Sequence, residues 1–210
     1  MDSTSPQGAD GFPVVVIGAS AGGIKAISTI LSGLPENFPA AIAIVQHRSS
    51  EPGLLAEVLA FRSKRPVRDA ADGDQLAPGC IFLAPAGRHL LINPDGTLSL
   101  SDAPKVRFTR PAAERLFESG AESLGERLIA VVLTGYDRDG TSGVEAVHRM
   151  GGRVIAQDPA TCDAPRMPVS AITTGCVDFV LPLEEIGSAL EGLVAGALRA
   201  RPSPDSPSQR

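Results

Sequence analysis

Residues 13–23 read Pro-Val-Val-Val-Ile-Gly-Ala-Ser-Ala-Gly-Gly, and they carry the strongest structural signal in the chain. The opening run is apolar and β-branched, which predicts a buried parallel strand. Small residues follow it, and a helical pattern begins at Ile24. A strand, a turn of small side chains and a helix N-terminus place Ser20 at the carboxyl edge of a sheet, where open α/β sheets bind ligands.

Two functions fit this turn. One is a phosphate cradle of the dinucleotide-binding type, and the other is a nucleophile turn in which Ser20 attacks an acyl carbon. A dinucleotide site requires a carboxylate at the end of the second strand. The second predicted strand, residues 41–45, is followed instead by Gln46 and His47. An imidazole at this place favours a serine nucleophile with a histidine base.

Strands alternate with helices along the rest of the chain, which predicts an α/β fold. We expect a doubly wound, mostly parallel sheet in a Rossmann-like three-layer arrangement, with an antiparallel β-hairpin insertion over residues 79–100. Further strands are predicted at 66–68, 80–84, 89–93, 128–133, 153–156 and 179–181, and helices at 22–31, 52–61, 111–124, 141–150, 168–174 and 183–199. We expect a flexible leader over residues 1–11, one domain over 12–200 and a disordered Pro/Ser tail over 201–210.

The composition excludes several classes of function. The chain has 210 residues, 43% of them hydrophobic, and a formal net charge of −5, which argues against nucleic acid as a partner. It shows neither a signal-peptide pattern nor an apolar run of membrane-spanning length, so we expect a cytoplasmic protein without membrane insertion. Its cysteines, Cys80, Cys162 and Cys176, have no metal-binding spacing and are expected to be reduced.

Serine, histidine and aspartate together catalyse acyl transfer in many enzymes. In this chain one residue of each type follows a predicted strand: Ser20, His47 and Asp139. Right-handed crossovers bring the ends of such strands to one edge of a sheet. A serine hydroxyl needs a base to take its proton, and a carboxylate orients the imidazole that serves as this base. Asp137 competes with Asp139 for the carboxylate role, and either could instead cap the following helix.

Several motifs occur together in a recognisable order: Gly-Ala-Ser-Ala-Gly-Gly at 18–23, Val-Gln-His at 45–47, Leu-Thr-Gly-x-x-x-Asp-Gly at 133–140 and Ala-Gln-Asp-Pro at 156–159. From about residue 13 to residue 190 the chain resembles the chemotaxis protein-glutamate methylesterase family, the CheB catalytic domain. The resemblance implies a cytoplasmic serine esterase that uses no metal or organic cofactor. Such an enzyme removes methyl esters from glutamyl side chains on chemoreceptor helices and deamidates certain glutamines.

The resemblance also implies a role for individual residues. By motif position Ser20 is the nucleophile, His47 the general base and Asp139 the orienting acid. The backbone N–H of Tyr136 faces the oxyanion, with Ala21 beside it. The implied partners are methylated chemoreceptor helices. Because few residues precede the first strand, we expect any phosphorylation control to come from a separate receiver or kinase protein.

The chain departs from the family pattern near the predicted site. The family often has Thr at position 21, Met-Gly-Asn at 136–138 and Gly at 166, where this chain has Ala21, Tyr-Asp-Arg and Arg166. The changes at 136–138 and at 166 add bulk and charge. They support an alternative function, a catalytically weak regulatory or interaction module in a non-chemotactic signalling system.

Overall fold

The computed structural model describes residues 11–47, 54–63 and 65–196. The strands in this part of the chain are β1 (Val14–Ala19), β2 (Ala41–Gln46), β3 (Val67–Asp69), β4 (Ile81–Leu83), β5 (His89–Ile92), β6 (Leu98–Ser101), β7 (Leu128–Val132), β8 (Arg153–Gln157) and β9 (Phe179–Leu181). The helices are α1 (Gly23–Gly33), α2 (Leu55–Arg62), α3 (Ala113–Leu124), α4 (Thr141–Arg149), α5 (Arg166–Thr173) and α6 (Leu183–Val194). The predicted leader up to residue 10, the predicted tail and the first residues of the helix predicted at 52–61 lie outside the described residues.

The main sheet has the strand order β3-β4-β2-β1-β7-β8-β9, and its strands pair in parallel. Every residue of β1 is buried, because β1 lies in the middle of the sheet with helices on both faces. The chain moves from β1 to β2 on one side and returns later as β7 on the other side. The predicted doubly wound fold is therefore confirmed, and its topological switch point lies at the carboxyl end of β1.

Alternate residues of β1 enter two separate cores, as the two-residue period of a strand requires. Val14 and Val16 pack in the core that α3, α4 and α5 cover. Val15 and Ile17 pack in the opposite core, under α1, α2 and α6. The sheet is thus the middle of three layers.

The predicted antiparallel pairing of residues 80–84 with 89–93 is wrong. β4 joins the main sheet in parallel between β2 and β3, with Ile42 opposite Ile81 and Val67 opposite the same residue. All three residues of β4 are buried, which a central strand needs on both faces. The antiparallel hairpin is formed by β5 and β6 instead, and it packs against α3 through the hydrogen bond from the Ile92 N–H to Ser119 Oγ, 3.1 Å long.

Two predictions from composition concern the cysteines and the absence of a membrane-spanning helix. Cys80, Cys162 and Cys176 are free thiols, each half-buried. Among the described helices, none combines the length and the apolar character that crossing a membrane requires.

Candidate active site

The predicted site residues Ser20 and His47 lie side by side at the carboxyl edge of the sheet. Ala19 and Gln46, the last residues of β1 and β2, are paired in register, so Ser20 and His47 follow adjacent strand ends. The His47 N–H donates to the Ala19 carbonyl at 2.9 Å. The Ser20 N–H donates at 2.9 Å to the carbonyl of Thr134, which lies in the loop after β7. The loops after three neighbouring strands therefore meet around Ser20.

The turn that carries Ser20 depends on residues without a side chain. Gly22 has a φ of 77°, in the left-handed region where glycine avoids strain. A Cβ at Gly23 would collide with the side-chain oxygen of Gln46, and a Cβ at Gly135 would collide with the Met167 sulfur and lie 2.9 Å from Ser20 Cβ. The backbones of the loops after β1 and β7 can approach each other only because these positions are glycines.

Asp139 is held at the bottom of the site by the N-terminus of α3. Its side chain is fully buried and accepts hydrogen bonds from the backbone N–H groups of Ala113 and Glu114, the latter at 3.0 Å. The N-terminal end of a helix stabilises a carboxylate. Asp139 Oδ2 also lies 2.6 Å from Nε2 of His47, so this carboxylate fixes the ring of His47 from the buried side.

His89, a buried residue of β5, supports the start of α3. The Ala112 N–H donates to His89 Nδ1 at 3.2 Å, and His89 Nε2 donates to the Pro104 carbonyl at 3.2 Å. This pattern requires the neutral ring, and burial lowers the pKa of His89 in agreement with it. His89 is thus a structural residue that positions the helix holding Asp139.

His47 lies between two carboxylates. Its Nε2 contacts Asp139, and its Nδ1 lies 3.1 Å from Oδ2 of Asp137. Both nitrogens can donate at once only when the ring carries two protons, which is the imidazolium form. Burial by itself would lower the pKa of His47, but the hydrogen bonds and charges of Asp137 and Asp139 outweigh burial and raise this pKa to about 9.

The partner carboxylate Asp137 shows the complementary effect. Its partial burial would raise its pKa, but the hydrogen bond from His47 overcomes burial and holds the pKa of Asp137 below its ordinary value. The choice between Asp137 and Asp139 that the sequence left open therefore has an unexpected outcome. Both carboxylates contact His47, one on each ring nitrogen, and neither caps α4, whose N-cap residue is Gly140.

Ser20 Oγ makes no hydrogen bond to His47 within the described residues, because both ring nitrogens face carboxylates. Ser20 is half-buried and lines a groove of about 710 Å³. Lys25 of α1 and Val58 and Arg62 of α2 line the same groove. A volume of this order accommodates an extended side chain or part of a helix rather than a small ion.

The backbone around Ser20 offers donors for a negatively charged oxygen. In the described part of the chain, the N–H groups of Ala21 and Tyr136 donate no hydrogen bond. The neighbouring N–H of Gly135 is already bonded to the Ala164 carbonyl at 2.8 Å. The side chain of Tyr136 is 70% exposed, so its ring lies in solvent.

Gln46 is a site residue that the sequence analysis did not identify. Its side-chain Nε2 donates to the carbonyl oxygens of Ser20 at 2.8 Å and His47 at 2.9 Å. The other strand-terminal glutamine, Gln157 at the end of β8, accepts the Thr134 N–H at 3.1 Å. A polar amide directly after an apolar strand is the sequence feature that could have revealed both residues.

The site contains a hydroxyl that could act as a nucleophile, on Ser20, and an imidazole with carboxylates that could transfer protons, on His47, Asp137 and Asp139. Within residues 11–47, 54–63 and 65–196, no group of His, Cys, Asp or Glu side chains is arranged to hold a metal ion. The fold and the site together define a class: a doubly wound α/β protein with a serine, a histidine and carboxylates gathered at the carboxyl edge of its sheet.

The comparison with protein families makes the assignment specific. The model of the CheB methylesterase family matches residues 15–190, and this chain belongs to that family. Membership confirms the resemblance inferred from the motifs at Ser20, His47 and the loop after β7.

Similar proteins carry methylesterase names. A protein-glutamate methylesterase/protein-glutamine glutaminase of Anaeromyxobacter dehalogenans is 45% identical over 190 residues, which are 90% of this chain and 55% of that protein. The protein-glutamate methylesterase FrzG of Myxococcus xanthus is 42% identical over 181 residues, 85% of this chain and 54% of FrzG. The chain thus spans about half the length of these curated relatives.

A solved structure confirms the fold. The crystal structure of the Thermotoga maritima CheB methylesterase catalytic domain superimposes with a TM-score of 0.83 at 39% sequence identity. The match covers 88% of this chain and 100% of that domain.

Proposed function

We propose that this protein is a serine hydrolase that removes methyl esters from glutamyl side chains of chemoreceptors. The observation that carries the proposal is the convergence of Ser20, His47 and Asp139 at three adjacent strand ends in a member of the CheB methylesterase family. The names of the relatives add glutamine deamidation as a second reaction of the same site. Both reactions transfer the glutamyl acyl group to water, from methanol in the ester and from ammonia in the amide.

The geometry supports a two-step mechanism. Ser20 Oγ attacks the ester carbonyl carbon while its proton passes to a ring nitrogen of His47. The backbone N–H groups of Ala21 and Tyr136 receive the oxyanion of the tetrahedral intermediate. His47 then gives the proton to the departing methoxide, which leaves as methanol. Water hydrolyses the glutamyl–Ser20 ester through the same base and regenerates the hydroxyl.

Asp139 orients His47 in this mechanism and stabilises its charged form. Its carboxylate is fixed by backbone donors of α3, so the ring has a defined position before substrate arrives. The mechanism uses no metal or organic cofactor.

The groove beside Ser20 suits the helix of a methylated chemoreceptor. The apolar side chains of Ile24 and Val58 line it together with the basic residues Lys25 and Arg62. A receptor helix that carries glutamyl groups presents apolar and acidic side chains, which complement this lining. We therefore propose cytoplasmic receptor helices as the substrate.

Substitution of the nucleophile tests the proposal. We expect Ser20→Ala to abolish methanol release from methylated receptors and labelling by a fluorophosphonate probe, with the fold unchanged by circular dichroism. The control is Ser142→Ala in α4, which should leave both activities intact. Methanol release at the wild-type rate in folded Ser20→Ala would exclude Ser20 as the nucleophile.

A catalytically weak regulatory or interaction module is the second candidate. The occupation of both His47 nitrogens by carboxylates favours it, because this ring has no free nitrogen for Ser20. Fluorophosphonate labelling from about pH 6 to about pH 10 separates the two functions. A working site labels Ser20 somewhere in this range, whereas a module that only binds receptors stays unlabelled.

A further inference from the structure

The two ring nitrogens of His47 have unequal surroundings. Nε2 faces the buried Asp139, and Nδ1 faces Asp137, whose side chain is 28% exposed. A catalytic histidine uses one nitrogen for the orienting acid and the other for the nucleophile. Because Asp139 holds Nε2, the proton of Ser20 can be accepted only at Nδ1, and Asp137 occupies that atom.

We infer that Asp137 is an inhibitory gate on His47, and that Ser20 is activated only in the form in which the Asp137 carboxylate has left Nδ1. The inference rests on the proposed function and adds a regulatory residue to it. It assigns opposite roles to two carboxylates that are separated by one residue in the chain.

The anchoring of the two carboxylates shows which one can move. Asp139 accepts two backbone N–H groups from α3 and is fully buried. Asp137 lies between Tyr136 and Arg138, which are both exposed. Besides His47, its described hydrogen bond is the one it accepts at Oδ1 from the Asp139 N–H, 3.0 Å long, which a rotation of the carboxylate can keep or exchange for water. Leaving Nδ1 thus costs one partly exposed ion pair and no core contact.

A positive charge for the released carboxylate is available nearby. The charge of Arg107 already contributes to the low pKa of Asp137. Arg107 precedes α3, and its Nε lies 3.6 Å from Oε2 of Glu114. The Arg107 side chain is 44% exposed. In the described residues the charged groups that act on His47 are Asp137 and Asp139, both from the loop after β7. Arg107, on the α3 side, acts on Asp137. A basic side chain of a bound receptor could take the same place as Arg107.

Departure of Asp137 from Nδ1 gives His47 the neutral protonation state that a general base needs. When Asp137 leaves as the carboxylate, the Nδ1 proton passes to water and His47 becomes neutral, with its remaining proton on Nε2 facing Asp139. Nδ1 then accepts the Ser20 proton as Oγ bonds to the ester carbon. The closed form is protonated at both nitrogens and cannot act as a base.

Asp137→Asn tests the gate, since it removes the charge but keeps an Oδ1 acceptor for the Asp139 N–H. The His47 pKa, read from its ring C–H signals by NMR, should fall from about 9 towards the ordinary 6.5. The neutral fraction of His47 at pH 7 would then rise from about one in a hundred to more than half, so fluorophosphonate labelling and methanol release should accelerate about 50-fold at pH 7. The charge-matched control, Glu145→Gln on the exposed face of α4, should change neither quantity.

Two outcomes would overturn the gate. One is an unchanged His47 pKa and pH profile in Asp137→Asn. The other is loss of labelling in both folded Asp137→Asn and folded Asp137→Gly, which would make Asp137 a required acid. Loss in the asparagine variant together with faster labelling in the glycine variant would support the gate, because the Asn Nδ2 amide then donates to Nδ1 and keeps it occupied. Asp137→Gly, which removes the carboxylate entirely, decides the matter if the asparagine variant does not fold. A lower His47 pKa with faster labelling of Ser20, but no methanol release from any receptor, would support the gate and contradict the methylesterase proposal.

Discussion

Gln46 ties the backbone of Ser20 to that of His47. Its buried side-chain amide donates to both carbonyl oxygens, at 2.8 and 2.9 Å. The proposed nucleophile and base make no side-chain hydrogen bond to each other in the described structure, so their spacing is set through the main chain. Gln46 is therefore a positioning residue, which acts on Ser20 and His47 through their backbone carbonyls.

Removal of the Gln46 side-chain amide should make the relative positions of Ser20 and His47 less fixed. We expect Gln46→Ala to lower the free energy of unfolding by about 2 kcal/mol, because two carbonyl groups lose a buried donor. Labelling of Ser20 should slow about tenfold, while the acidic limb of the pH profile, which reports His47, stays in place. Gln75→Ala is the matched control, since Gln75 is exposed and its side-chain amide donates a single described hydrogen bond, 3.4 Å long, to the Asp95 carbonyl. Equal labelling rates in both variants would contradict a positioning role.

The carboxylate of Asp139 should be indispensable. In Asp139→Asn one acceptor oxygen becomes an NH₂ group that faces the N–H donors of α3 or the His47 ring. We expect a rate loss of about 10³- to 10⁴-fold in methanol release, because the ring loses its orienting acid. The measurements are methanol release and single-turnover labelling of Ser20 by fluorophosphonate, both expressed per folded molecule.

Asp178→Asn provides the control for that experiment. Asp178 also accepts a backbone N–H, from Val154 at 2.9 Å, and pairs with Arg153 at 3.1 Å, but at the opposite edge of the sheet. This variant should lose stability and keep its labelling rate per folded molecule. A similar rate loss in both aspartate variants would indicate general destabilisation in place of a specific effect at His47.

Gly135 should tolerate no side chain. A Cβ there collides with Met167 and comes within 2.9 Å of Ser20 Cβ, so Gly135→Ala must displace one of them. We expect a stability loss of about 1–3 kcal/mol from overpacking and a lower rate of Ser20 labelling. The control, Gly33→Ala, adds its Cβ to open space. Thermal unfolding and labelling that match the wild type in Gly135→Ala would show that the loop after β7 is not pressed against Ser20.

The charge of His47 should make stability depend on pH. The folded protein holds the His47 proton with a pKa of about 9, against an ordinary value of 6.5. This stabilisation is fully present below pH 6.5 and is lost as the pH rises through about 9. Relative to His47→Gln, the wild type should therefore lose up to about 3 kcal/mol across that window. Denaturant unfolding at several pH values measures it, and His148→Gln, at an exposed position in α4, should retain the wild-type slope.

The sequence was sufficient for the main architecture. Apolar runs such as residues 14–17 and 128–132 are long enough to predict strands. Clear helical patterns separate them, and this alternation predicts a parallel sheet. The pairing of β4 was not predictable in the same way. The short apolar run at 80–84 fits a parallel strand and a hairpin strand equally. Its partners in the sheet lie some forty residues and fourteen residues earlier in the chain.

At the site, local patterns are enough to place the chemical groups at the strand ends, because the apolar strands stop before Ser20 and His47 and the turns need glycine. How these groups meet depends on contacts between segments that are far apart in the chain. Asp137 and Asp139 are too close in sequence for any local pattern to tell which one contacts His47, and the fold brings one to each ring nitrogen. The charge of His47 follows from that contact, since burial and two carboxylates act on it through space rather than along the chain.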